Sequence, residues 1–297
     1  MTSAENIAGL DAERRRAARD RWYAPLARLL RRHTAKVGLA ITLIFLVLTI
    51  AAPLIAPYDP YDQNFSDALS PPSVQHLFGA DQYGRDMFSR VLYGSRSALL
   101  VIVVANGLAL AIGCTLGLIG GFLGGTVDAV VMRFVDVLLA FPYLLLALII
   151  VAALGPSLTN SVIAIGIVYT PQYARLIRGQ VLAIRAADYV RAARAIGTSP
   201  LRIMLRHVLP NSFTPVLVMA TVQAGSVVVE TAGLSFLGLG AQPPSPDWGA
   251  LLADGHNYFL TAWWIATFPG VAIFCVVLGF NLLGDALRDQ FDPRRRV

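Results

Sequence analysis

Apolar and polar residues in this chain are sorted into blocks. Runs with little or no charge occupy residues 37–57, 98–122, 127–154, 158–176, 213–238 and 262–283, and the charged residues collect between them. A helix needs about 20 apolar residues to cross a bilayer core. The pattern therefore predicts an all-α polytopic membrane protein with about six transmembrane helices. Helix breakers fall between the runs: Pro57, Pro60, Pro71 and Pro72 after the first, the pair Gly124–Gly125 as a tight turn, Gly155–Pro156 after the third, and a Pro- and Gly-rich loop over 239–260. Within the second run, Gly113, Gly117 and Gly121 recur every fourth residue. That spacing puts them on one helix face, where a neighbouring helix can come close.

Composition supports this reading. The chain has 297 residues, 56% apolar and only 14% charged, against roughly 25% charged in soluble domains. The net charge of +6 comes almost wholly from Arg. Nucleic-acid binding is rejected, because the Arg residues flank apolar runs, where the positive-inside bias places them. One side takes the N-terminal cluster Arg14–Lys36, the loop cations from Arg178 to Arg206, and Arg294–Arg296; the other takes Arg85, Arg90 and Arg96 among several Asp. Both termini are expected in the cytoplasm. Residues 1–36 form a basic cytoplasmic segment, and the run behind them is too long for a signal peptide, so it reads as a retained span. Cys114 and Cys275 lie in apolar runs without metal-ligand spacing, so neither a metal nor a disulfide framework is expected.

Candidate chemistry is sparse. The phosphate loop of an ATP-driven pump, GxxxxGK[ST], is absent: Lys36 is the only lysine, preceded by Thr34 and Ala35. If ATP drives this protein, another chain binds it. Arg133 and Asp136 lie three apart in the third run and can form a structural ion pair. Glu230, toward the outer end of the fifth run, is an intramembrane carboxylate and hence a functional candidate. With Ser235 it is a candidate for the translocation pathway or an interface. All four His lie outside the runs, so no intramembrane Ser/His/Asp protease is arguable.

The polar segment 178–212 carries more. Asp188–Ile196 reads as a short helix, with Gly197 placed for a left-handed C-cap. Ser199 can cap a second helix with Pro200 at its first position, running to about Val208, before Leu209–Pro210. Tyr189, Ala193 and Ile196 recur at helical spacing, as do Leu201, Met204, Leu205 and Val208. By pattern alone this basic amphipathic hairpin fits an anionic lipid surface as well as a protein partner.

A resemblance separates the two. VRAARAIGTSPLRIMLRHVLPN, residues 190–211, resembles the EAA loop of permease subunits of bacterial ABC importers, with Ala192, Ala193, Gly197, Leu209 and Pro210 in register. Arg191 stands where the general motif has Glu, and His207 where it has Ile. HLFGADQYGRDMFSRVLYGSR (76–96), ETAGLSFLGLGAQPPSPDWG (230–249) and FNLLGDALRDQFDPR (280–294) are similar to the peptide and nickel branch of that family. In order, the matches cover about 37–294 and look like the C-type permease of a dipeptide or oligopeptide importer.

The resemblance implies a type I permease fold over 37–297 in the bacterial cell membrane. It implies a homologous second permease, two ATPase subunits that bind the ATP and Mg, and a substrate-binding protein outside, with no cofactor in this chain. The loop 178–212 becomes the coupling element. Tyr189, Ala193 and Ile196 would dock into an ATPase groove, with Arg191 and Arg194 at the rim and Gly197 and Pro200 as stiffeners. With Arg191 in place of Glu, the grip is expected to rest on apolar packing and shape. Pro243, Pro244 and Trp248 are expected as an outer surface for the binding protein. Peptide, nickel and glutathione importers share these motifs, so the substrate stays open among them. A proton-coupled secondary transporter built on Glu230 and a non-transporting membrane scaffold are the readings from other classes.

Overall fold

The computed structural model describes residues 32–291. The basic segment before Arg32 and the tail cations Arg294–Arg296 lie outside the described residues. The described chain is all-α, with one isolated bridge between Ala80 and Asp86. In chain order the helices are α1 (His33–Ile55), α2 (Met87–Leu123), α3 (Gly125–Leu139), α4 (Tyr143–Leu154), α5 (Leu158–Arg185), α6 (Asp188–Ala195), α7 (Pro200–Ile203), α8 (Leu209–Phe236), α9 (Trp248–His256) and α10 (Trp264–Phe291). A π-helical turn, Met204–Val208, joins α7 to α8.

Four helical stretches are long and apolar enough to cross a membrane: α1, α2, Pro200–Phe236 and Trp264–Gln290. The run expected as one span over 127–154 is instead two helices, α3 and α4, bent by 91°. Pro142 is the cause: it lacks an N–H, and a proline disfavours helical backbone at the residue before it. Counted as one span, the bent pair makes five. The remaining run became α5, whose 28 residues extend about 42 Å. It is too polar to pass on composition, because Asn160, Gln172, Arg175, Arg178 and Gln180 interrupt it.

The glycine face of α2 meets α5, as its spacing predicted. A Cβ at Gly113 would lie 2.5 Å from the Thr170 carbonyl oxygen, and one at Gly117 2.2 Å from that of Ala174. The two helices are thus in backbone contact, and α5 is largely buried at this seam through Ile165, Tyr173, Ala174 and Ile177. Tyr173 Oη donates to Asn106 Oδ1 of α2, and Asn106 Nδ2 donates to the Ala220 carbonyl of α8 at 2.7 Å. One side-chain chain therefore ties α2, α5 and α8.

The two ends of the bundle differ. At one end, the segments between α1 and α2 and between α8 and α10 interlock. Trp264 Nε1 donates to Ala80 O at 3.0 Å, Trp248 Nε1 donates to Val91 O at 2.9 Å, and Phe78 stacks on Phe268 at 3.9 Å. Buried charged and polar pairs sit beneath this cap. Arg85 Nε lies 2.6 Å and Arg90 Nε 3.6 Å from the same Asp81 oxygen, and His76 Nδ1 lies 2.9 Å from Asp86. At the other end lie the hairpin α6–α7, the Gly124–Gly125 turn, and the contact of Arg32 with Asp289 that joins the start of α1 to the end of α10.

Candidate functional site

The hairpin is built from short-range signals. Gly197 has φ of +79°, a left-handed value that costs a side chain but not glycine. Thr198 N–H donates to Ala193 O at 3.1 Å and Gly197 N–H to Arg194 O at 3.0 Å. These two bonds are the Schellman closure that satisfies the last carbonyls of α6. Pro200 follows at the start of α7, although the Ser199 side chain makes no capping bond. The expected stop before Leu209–Pro210 does not occur. The chain widens into the π turn and continues into α8, with Pro210 in that helix's first turn. A wider turn relieves the clash of the proline ring with the carbonyl four residues back.

The expected apolar stripe is split. Val190, Ala193, Ile203 and Val208 face inward and are buried, whereas Tyr189, Ile196, Leu201 and Leu205 face out. Ile196 is 83% exposed and Leu201 61%. Arg191 is exposed beside Asp188, and the Arg194 guanidinium lies 5.9 Å from the Phe122 ring. Arg185, at the end of α5, donates to Phe122 O at 2.9 Å and so ties the root of the hairpin to the end of α2. Asn211 Nδ2 donates to His207 O at 2.6 Å and lies 3.4 Å from the Tyr189 hydroxyl.

Asn211 also borders a cavity of about 810 Å³ between α5, α8 and the end of α10. Gln172, Thr214, Met219, Gln223 and Arg288 line it as well. Gln223 Nε2 donates to Gln172 Oε1 at 2.5 Å across the α5–α8 seam. This pair is not among the candidates read from the sequence, which were ionisable groups within the apolar runs; a neutral amide carries no charge to mark it. One amide in each of two different apolar runs is the signal that could have found them.

The remaining candidates fall elsewhere. Glu230 Oε1 accepts from Tyr169 Oη at 2.6 Å, while its Oε2 is buried without a hydrogen-bond partner. Ser235 is buried and accepts from Ala241 N–H at 3.2 Å, so it anchors the loop after α8. Two expectations are corrected. Trp248 is no surface residue: it is only 4% exposed, packs against Phe45 and is held by Val91 O, leaving Pro243 and Pro244 exposed on the loop after α8. Asp136 pairs with Arg175 of α5 at 2.8 Å, and no Arg133–Asp136 pair occurs among the described residues, because α5 brings a cation closer than the neighbouring turn of α3 does. Asp128, one helical turn from the Gly124–Gly125 turn, forms a bidentate pair with Arg178 at 2.6 Å.

Residues 113–297 match the family described as binding-protein-dependent transport system inner membrane component, and residues 20–72 match the N-terminal TM domain of oligopeptide transport permease C. The dipeptide transport system permease protein DppC of Alkalihalophilus pseudofirmus is 45% identical over 93% of this chain and 90% of its own length. The probable D,D-dipeptide transport system permease protein DdpC of Escherichia coli K12 is 46% identical over 86% and 85%. A glutathione transport system permease protein, GsiD of Escherichia coli, is 43% identical over 92% and 90%. A solved structure of the MetNI methionine ABC transporter in inward-facing conformations superposes with a TM-score of 0.57 at 17% identity, covering 69% of this chain and 98% of the other, which supports the type I permease fold. The chain is therefore a multi-pass bacterial inner-membrane protein and belongs to the C-type permease subunits of the dipeptide, oligopeptide and glutathione ABC importers.

Proposed function

We propose that this chain forms one half of the membrane passage of an ATP-driven importer of di- or oligopeptides, and that the α6–α7 hairpin seats a separate ATPase. In this reading α5 is a sixth crossing, screened from lipid by its neighbours, and both chain ends lie in the cytoplasm. A homologous permease supplies the other half, two ATPases bind ATP and Mg, and a binding protein delivers substrate from outside. The relatives named for dipeptides, D,D-dipeptides and glutathione share one chemical class, short chains joined by amide bonds.

The observation that carries the reading is the outward set Tyr189, Ile196, Leu201 and Leu205 on a hairpin pinned by the Schellman closure. Fully burying a Leu- or Ile-sized side chain is worth about 1.5–3 kcal/mol, so these four are costly to leave in water and suited to a groove. Arg191 and Arg194 are exposed on the same hairpin, and in this reading they form the rim of that patch. Ile196→Asp and Leu201→Asp are expected to leave the chain in the membrane but cut co-purification of the ATPase at least tenfold, about 1.4 kcal/mol. Full retention of the ATPase by both variants would remove the hairpin from that role.

A further inference from the structure

We propose that the Gln172–Gln223 pair in the cavity between α5, α8 and α10 reads the backbone of a passing peptide through one hydrogen-bond donor and one acceptor. This rests on the reading of the chain as half of a translocation passage and deepens it.

Each carboxamide offers a carbonyl acceptor and an amino donor. The single bond between the two, from Gln223 Nε2 to Gln172 Oε1, uses one of each. The Gln223 carbonyl oxygen and the Gln172 amino group are left wholly unengaged, beside the second N–H of Gln223 and the second acceptor site of Gln172, and the complement is the same whichever way both amides are turned. In an extended peptide the N–H and C=O of one residue point to the same side, as they do in a β ladder. One donor beside one acceptor matches that edge.

The surroundings agree. Polar side chains within a membrane face the bundle interior or a water-filled cavity, not lipid. Gln172 and Gln223 line a cavity large enough for a short peptide, about 810 Å³, together with Thr214 and Met219. The wall is otherwise mainly apolar, and methionine adapts its shape to varied neighbours. Such a site grips the main chain and tolerates the side chains. Asn211, on the same wall, reaches the coupling hairpin through His207 O and the Tyr189 hydroxyl, so an occupied site lies beside the element proposed to meet the ATPase.

The test uses the complete importer in liposomes with Gln172→Leu and Gln223→Leu. It measures binding-protein-stimulated ATP hydrolysis and, by mass spectrometry, uptake of a defined mixture of di- and tripeptides. Each variant is expected to keep stimulated hydrolysis within twofold and lose at least tenfold in peptide uptake, with the double variant no worse than either single one. Wild-type uptake in both variants would overturn the proposal. So would a parallel fall of uptake and hydrolysis, which marks a pair that only packs helices. A second measurement places Thr214→Cys in a Cys275→Ala background and asks whether a charged thiol reagent modifies it in the assembled complex. Modification supports an open, wet cavity; protection in every nucleotide state means the second permease fills it, and overturns the site. Failure of the parent reading is distinct, since it would appear in the wild type as hydrolysis that ignores the binding protein.

Discussion

Asp247 caps α9 by accepting from the N–H groups of Gly249 at 3.0 Å and Ala250 at 3.3 Å. Burial holds its carboxyl above the ordinary carboxylate range, against hydrogen bonds from Ser235 and from those two amides that pull the other way. The folded protein thus binds this proton more tightly than the unfolded chain does. Its contribution to stability is largest in acid and declines as pH rises from about 3.9, the unfolded value, through the raised folded value. Asp247→Asn removes that titration. The melting temperature of the variant minus that of the wild type, in detergent, is expected to grow more positive from about pH 4 to about pH 7. A difference flat with pH would contradict it. Single residues of this kind were poorly legible in the sequence. Asp247 and Trp248 stand in a Pro- and Gly-rich stretch that suggested an exposed surface, and only the tertiary contacts with Val91 and Phe45 turn Trp248 inward.

At the scale of elements, the α2–α5 seam was readable because it depends on a period. Three glycines at four-residue spacing leave one face without side chains, and α5 lies against it. Gly117→Val should be severely destabilising, at or above the upper end of the roughly 1–3 kcal/mol typical of overpacking, because a backbone carbonyl stands 2.2 Å from the new Cβ and cannot swing aside. Gly107→Ala, in the same helix but with nothing within 4 Å of its Cβ apart from its own turns of helix backbone, should be neutral or slightly stabilising, since alanine is favoured over glycine in helices by up to about 1 kcal/mol. Thermal unfolding of both variants in detergent checks the pair, and equal effects would deny the close seam. Prolines were less legible. Pro142 breaks an apolar run that looks continuous by hydropathy, yet Pro210, which reads as a stop, is absorbed by a π turn. Whether a proline bends a helix by 91° or is carried through depends on the packing around it. The hairpin's turn was legible, since Gly197 and Pro200 act locally, but its far end was not, because the chain continues through the π turn into α8. Which apolar residues face outward was not, because that depends on where the ends of α2 and α5 lie.

For the whole molecule, the architecture places a stiff, basic, apolar-tipped hairpin at one end of the bundle and a capped, ion-paired assembly at the other. Between them lies a cavity whose wall reaches the hairpin through Asn211. The polytopic class was plain from block hydropathy. The count was less so, because α5 is shielded by its neighbours and need not be apolar all round, while the third run folds into two helices. Gln172 of α5 and Gln223 of α8 meet only in three dimensions, so no local pattern marked the pair. The central claim is that the hairpin transmits the ATPase cycle, and Gly197→Pro tests it most directly. Proline fixes φ near −65° where the structure has +79°, and it removes the N–H that bonds Arg194 O. Binding-protein-dependent, ATP-driven uptake by the reconstituted importer is the measurement. The variant is expected to reach the membrane and pair with its partner permease, with uptake abolished; uptake at the wild-type rate would contradict the account.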